Sequence, residues 1–354
     1  MAITEEDRKR MGTVDPELAE ALKTQPFPDL TGGDPNATRG VAIRQNRAAH
    51  LAKLRHLYPI PGPIPEQVSE SLHQVPARDG AGIPVRIYVP VNRPASGSPL
   101  ILMFHEGGWS MGDLSDEDQN CRLFTRDLGA VCVNVDYRLA PEHPFPACVN
   151  DAWDVVKWCA QNASPGSSIL PADPKQGFVV GGASAGGNLS AVVCQLGRDE
   201  GLSPPLTGQY LCVPSLLWAS SADAVPEKYR AEFRSRFESA SDPIVKPYNE
   251  ASNARMMQTL APDLNSPLFS PLLHPNLGDL PPAFFQLGGL DPLRDEALIY
   301  ERELKENGVL TKSIVYSGFG HMFWTNWPTM QRSKEFVQDT AQGVRWLLEV
   351  GKAR

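Results

Sequence analysis

Residues 177–189 read GFVVGGASAGGNL. The first half is a short apolar run of strand type, and the second half begins as a helix. Between them lies Gly182-Ala183-Ser184-Ala185-Gly186, a serine with glycines two before and two after. A serine on a tight strand-to-helix turn is forced into strained backbone geometry, and glycines at those positions avoid clashes. The turn lifts the hydroxyl to a helix N-terminus, where free N–H groups favour negative charge. Ser184 is therefore the candidate nucleophile. The competing reading is a glycine-rich phosphate turn. No acidic ribose ligand or Lys-Ser/Thr signature accompanies it.

Working outward, short runs rich in Val, Ile, Leu and Phe alternate with amphipathic stretches. Strands are predicted at 84–90, 99–104, 130–135, 177–181, 209–213, 283–287 and 312–316. Helices are predicted at 117–128, 147–162, 186–199, 293–307 and 330–349. The later strands are apolar on both parities, as in strands covered on both faces. The alternation predicts an α/β fold with a mostly parallel sheet and helices on both sides. Residues 1–50 are polar, with a short helix expected from Pro16, and cannot form a core alone. Residues 214–280 break the alternation, with a helical piece expected near 226–239. They are too long for a plain loop and are expected to carry structure of their own or act as a lid.

Three further loops carry chemistry. His105-Glu106-Gly107-Gly108-Trp109 follows the strand PLILMF. Acyl transfer passes through an oxyanion and needs backbone donors already aimed at it. The N–H groups of Gly107, Gly108 and Ala185 are the candidate donors, and His105 is expected to fix the loop. Asp291 follows the strand AFFQL and is placed to orient an imidazole. Its competing role is a helix cap before Pro292, and Asp295 is the second candidate acid. Asp295 and Glu296 also suit the first turn of a helix. His321, flanked by Gly320 in a loop after the last strand, is the candidate general base. The order Ser, Asp, His at successive strand ends supports this trio.

The 354 residues are 42% hydrophobic and 21% charged, with net charge −8. An acidic chain without a basic stripe gives no reason to expect a nucleic-acid partner. The six cysteines form no C-x-x-C pair, and no Cys/His spacing suits zinc. They are expected to be buried free thiols. The N-terminal MAITEEDRKRMG lacks the apolar core of a signal peptide, the C-terminal GKAR is no clear peroxisomal address, and no run approaches a membrane span. The expected location is cytoplasmic. No cofactor or metal is expected, and the sequence leaves a homodimer open.

Five pieces together, HEGGW at 105–109, VDYRLAPEHPFPA at 135–147, GASAGGNL at 182–189, DPLRDE at 291–296 and GHMF at 320–323, resemble the hormone-sensitive-lipase-like branch of α/β-hydrolases. The branch includes microbial esterases and plant carboxylesterases. The resemblance spans roughly residues 80–350. It implies an α/β-hydrolase fold with an eight-stranded, mostly parallel sheet, helices on both faces and a helical cap. The cap would comprise residues 1–50 and 214–270, over a core of 51–213 and 271–354. It carries Ser184, Asp291 and His321 over as a triad, with Gly107, Gly108 and Ala185 as oxyanion donors. Asp136, Tyr137, Arg138 and His143 become scaffold residues. The implied activity is carboxylic ester hydrolysis of a small to medium, largely apolar ester through an acyl-enzyme.

The chain departs from the family pattern twice: Glu106 stands for the first of three glycines, and Ala183 for an aspartate. An ionised carboxylate beside the oxyanion hole would oppose the charge the hole must hold. Glu106 is therefore a possible modulator, expected to face away and bond to nearby loop groups. Trp109, Trp218 and Phe323 are the candidate pocket residues, each equally suited to the core. Two alternatives stand beside hydrolysis. One is a non-hydrolytic enzyme on the same scaffold, such as a dehydratase, acyltransferase or cyclase. The other is a non-catalytic ligand receptor, against which His321 argues.

Overall fold

A computed structural model describes residues 4–28, 30, 41–219, 221–238 and 250–352. Eight strands form one sheet: β1 (Val68–Pro76), β2 (Gly82–Pro90), β3 (Leu100–Phe104), β4 (Val131–Val135), β5 (Phe178–Ala183), β6 (Gly208–Cys212), β7 (Ala283–Gly288) and β8 (Thr311–Tyr316). Their order across the sheet is β1-β2-β4-β3-β5-β6-β7-β8. β2 runs antiparallel to both its neighbours, β1 and β4, and β3 to β8 run parallel to one another. The sheet is the eight-stranded, mostly parallel one that the resemblance implies.

Every residue of β3, β4, β5, β6 and β7 is buried. Their side chains divide by parity between two cores, as a pleated strand requires. Leu100, Leu102 and Phe104 face one core, and Ile101 and Met103 face the other. The first core packs against α5 (Ala147–Asn162), α6 (Ala185–Asp199) and α10 (Arg294–Glu306). The second packs against α4 (Asp118–Leu128) and α12 (Gln331–Gly351). Helical crossovers on either face bring the chain back to the same end of the sheet before each parallel strand, so the loops after β3, β5, β7 and β8 collect at the opposite end.

Seven strands were legible from residue pattern; β1 was not. It reads VSESLHQVP, and only Val68 and Val75 are buried. As an edge strand against β2 it needs little apolar surface. The helical piece expected near 226–239 is two short helices, α7 (Glu227–Arg230) and α8 (Ser235–Glu238), followed by α9 (Glu250–Leu260).

The N-terminal segment forms α1 (Glu5–Met11), α2 (Pro16–Thr24) and α3 (Val41–Leu54). A Thr4–Asp7 capping box starts α1, and Asp15 caps α2 with Pro16 at its first position. Arg8 reaches the buried Asp295 at 2.8 Å. Gly318 donates to Met11 O (2.8 Å), and Asp15 donates to Gly318 O (3.1 Å). The segment that could not form its own core is thus tied to the loop that leads to His321. All six cysteines are buried and free. Among the described residues no helix is long and apolar enough to cross a membrane.

Candidate active site

Ser184 sits between β5 and α6 with φ 54° and ψ −111°, a region that non-glycine residues rarely enter. Its N–H donates to Cys212 O at 2.8 Å, which pins the turn to β6. A Cβ on Gly182 would lie 2.2 Å from Phe104 O, and one on Gly186 would lie 1.8 Å from the same oxygen. The end of β3 therefore packs directly against the turn, and only glycine admits that approach.

His321 lies in the loop after β8. Its Nε2 is 3.1 Å from Ser184 Oγ, and its Nδ1 is 2.7 Å from Asp291 Oδ2. Asp291 is buried at the end of β7, and its Oδ1 accepts the Leu293 N–H at 2.8 Å. The two readings of Asp291 are thus both present: one oxygen holds the turn and the other faces the imidazole. An ionised carboxylate only accepts, so Nδ1 carries the hydrogen and Nε2 is left to accept from the serine.

Asp295 stands elsewhere. It accepts from Arg8, from Arg294, and from the N–H groups of Arg234 and Ser235. Its neighbour Glu296 takes the Leu216 N–H and pairs with Arg236 at 2.7 Å. Both acids do open α10, as their sequence position suggests. Their further work is to fasten Arg8 of the N-terminal segment, Leu216 and residues 234–236 to the core.

The loop after β3 is held from several sides. Gly107 has φ 121° and a Cβ there would meet Met111 O at 2.3 Å. His105 stacks on Tyr137 with ring centroids 4.2 Å apart, and its Nδ1 lies 2.7 Å from Glu106 O. Tyr137 donates its hydroxyl hydrogen to His105 O at 2.8 Å. His105 is accordingly a loop-fixing residue. The N–H groups of Gly107, Gly108 and Ala185 have no acceptor among the described residues.

Glu106 is buried, but its partner differs from the one expected. Its Oε1 accepts from Arg47 Nη2 at 2.6 Å, and Arg47 belongs to α3 rather than to a nearby loop. Arg47 also bonds Asp116 at 2.8 Å. Burial, then the charge of Asp116, push the Glu106 carboxyl up, and Arg47 pulls it back. Nothing in the sequence pointed to this pair, because its members lie 59 residues apart. Ala183, the other departure, packs into the second core.

Two of the three pocket candidates lie in the core. Phe323 is fully buried among Phe319, Tyr316, Trp324 and Phe336 and offers no surface to a ligand. Trp109 is 3% exposed and packs on Phe269 at 4.9 Å. Trp218 is half-buried, with the Arg236 guanidinium 4.7 Å above its ring.

A strand–turn–helix elbow at the centre of an eight-stranded sheet, facing an imidazole from the loop after the last strand, defines an α/β-hydrolase. A family model described as alpha/beta hydrolase fold matches residues 101–325, and the chain belongs to that family. It is 40% identical over 349 residues to an AB hydrolase superfamily protein of Schizosaccharomyces pombe, covering 98% of each chain. It is 35% identical over 302 residues to the carboxylesterase NlhH of Mycobacterium tuberculosis, covering 84% of each. The solved structure of a vibralactone cyclase superposes with a TM-score of 0.87 at 32% identity, covering 99% of each. Within its family the chain is a carboxylesterase-type hydrolase, as the five sequence motifs implied.

Proposed function

We propose that the protein hydrolyses small to medium, largely apolar carboxylic esters through an acyl-enzyme on Ser184. His321 Nε2 takes the serine proton as Oγ attacks the ester carbonyl. Asp291 holds the imidazole in the required tautomer and stabilises the imidazolium. The N–H groups of Gly107, Gly108 and Ala185 receive the oxyanion. The alcohol leaves with the proton from His321, and water activated by the same imidazole releases the acid. No step calls for a metal or an organic cofactor. The observation that carries this reading is the unbroken chain of contacts, 3.1 Å from hydroxyl to imidazole and 2.7 Å from imidazole to carboxylate. An apolar substrate is supported by the half-buried Trp218, which packs on Phe269 behind it. The N-terminal segment and residues 214–270 serve as the cap that bounds substrate size.

The vibralactone cyclase favours a second reading. In it, a hydroxyl of the acylated substrate takes the place of water and closes a ring, with the same residues in the same roles. A panel of p-nitrophenyl esters of increasing chain length, together with organophosphate labelling, separates the possibilities. Hydrolysis predicts turnover of the short and medium esters, with both turnover and labelling abolished in Ser184→Ala. Labelled Ser184 with inertness towards every ester would favour ring closure. Failure of Ser184 to label would overturn both.

A further inference from the structure

The candidate oxyanion loop of this chain contains a buried carboxylate, and the compensating charge comes from another part of the molecule. Glu106 precedes Gly107 directly, and its side chain is 6% exposed. Arg47, 12% exposed, bridges Glu106 and Asp116 with its two terminal nitrogens. Arg55 adds a longer contact to Asp116 at 3.4 Å. Two carboxylates therefore face two guanidiniums. A third acid beside them, Glu117, is pushed far up by burial and then by the charge of Glu106, which favours its neutral form. The cluster balances only while Arg47 is present.

α3 and the turn that follows it touch both halves of the site. Arg44 of α3 donates to Ser110 O at 2.6 Å, just beyond the glycine pair. Tyr58, four residues past the end of α3, donates to Thr325 O at 3.1 Å in the segment that follows His321. α3 is thus seated across the loop of donors and next to the loop of the base.

We propose that Arg47 is a positioning residue for the oxyanion hole: through its ion pair with Glu106 it cancels a negative charge that would otherwise oppose the oxyanion. The proposal rests on the hydrolytic reading of Ser184 given above. It adds that the N-terminal segment is a working part of the hole and not only a cover over it. A buried carboxylate stripped of its partner is either a repulsive charge or a protonated group that has let go of its anchor. Both outcomes disfavour the tetrahedral state more than the bound ester.

The test is a cycle of Arg47→Met, Glu106→Gln and the double variant. It is read as kcat and KM for p-nitrophenyl butyrate and as the affinity for n-butylboronic acid, which forms a tetrahedral adduct on a reactive serine. Arg47→Met is expected to lose about a hundredfold in kcat, as when one oxyanion donor is removed, with KM within about threefold. Boronate affinity should fall alongside kcat. Glu106→Gln keeps the acceptor but not the charge and should lose roughly threefold to tenfold. The double variant should return to the level of Glu106→Gln, because removing the carboxylate removes what Arg47 had to cancel. A purely structural bond predicts instead a double variant at least as poor as Arg47→Met, and that result overturns the proposal. Should Arg47→Met not fold, the double variant is compared with Glu106→Gln, and a further hundredfold loss is equally fatal. A hundredfold loss in Glu106→Gln alone would also sink it. Failure of the underlying reading shows separately, as turnover that survives Ser184→Ala.

Discussion

Asp291→Asn is the substitution whose effect the geometry specifies most closely. Asp291 uses one oxygen for the Leu293 N–H at 2.8 Å and the other for His321 Nδ1 at 2.7 Å. Asparagine keeps the shape but has one acceptor and one donor. If its oxygen stays with Leu293, its NH2 faces Nδ1. The imidazole must then carry its hydrogen on Nε2, where it cannot accept the Ser184 proton. If the amide turns over, the correct tautomer returns, but the NH2 meets the Leu293 N–H. Losing that partly buried bond costs about 1–3 kcal/mol, so the competent arrangement is a minority by roughly fivefold to 150-fold. In that minority the imidazolium also faces a neutral amide instead of a carboxylate, and charge-assisted hydrogen bonds are about twice as strong as neutral ones. The sum is a loss of roughly 10³- to 10⁴-fold in kcat, the scale typical when a triad acid is made neutral. Steady-state hydrolysis of p-nitrophenyl butyrate near neutral pH measures it. KM should move less than about threefold, since no substrate contact changes. The melting temperature should shift by only a few degrees, because each arrangement keeps most of the bonding. A fall in kcat below about tenfold would refute the assignment of Asp291 as the orienting acid.

Two further outcomes follow from the same contacts. Asp295→Ala strands Arg8, Arg294 and two backbone N–H groups, and should cost about 3–5 kcal/mol in a urea melt, with kcat at low temperature largely kept. Burial raises the Asp295 carboxyl, but Arg294, the Arg234 N–H and Arg8 outweigh it and hold it below its ordinary value. Its contribution is therefore complete above the unfolded carboxylate value of about 3.9 and is lost as pH falls through the lower folded value. The gap between wild type and Asp295→Ala should narrow in acid; a gap constant down to that range would exclude the ion pairs as its source. Gly186→Ala would place a methyl 1.8 Å from Phe104 O, at or beyond the upper end of overpacking costs, about 3 kcal/mol. A variant with unchanged melting and turnover would show that β3 and the elbow do not meet as described.

How much could be read without coordinates depended on the range of the interaction. The helix expected at 147–162 occupies Ala147–Asn162, because one periodic apolar face is a local property of the chain. The strands buried on both faces were equally visible. β1 escaped, since an edge strand with two buried residues has no periodicity to read. α3 escaped as well, because its sequence VAIRQNRAAHLAKL has no strong apolar stripe. Its seating depends on partners such as Glu106, Ser110 and Glu142.

By itself the sequence determined the strand–helix order, the elbow at Ser184 and the order of serine, acid and histidine, because turn chemistry and strand ends are written in adjacent residues. It put Asp291 ahead of Asp295 by its place at a strand end, but it could not show where Asp295 turns. Four residues separate them, and only the packing of β7 beside β8 turns one towards His321 and the other towards Arg8 and Arg294. Nor could it find a partner for Glu106. Pairs of charges distant in the chain meet only where the folded backbone brings them together, and desolvation then decides which of them must be matched.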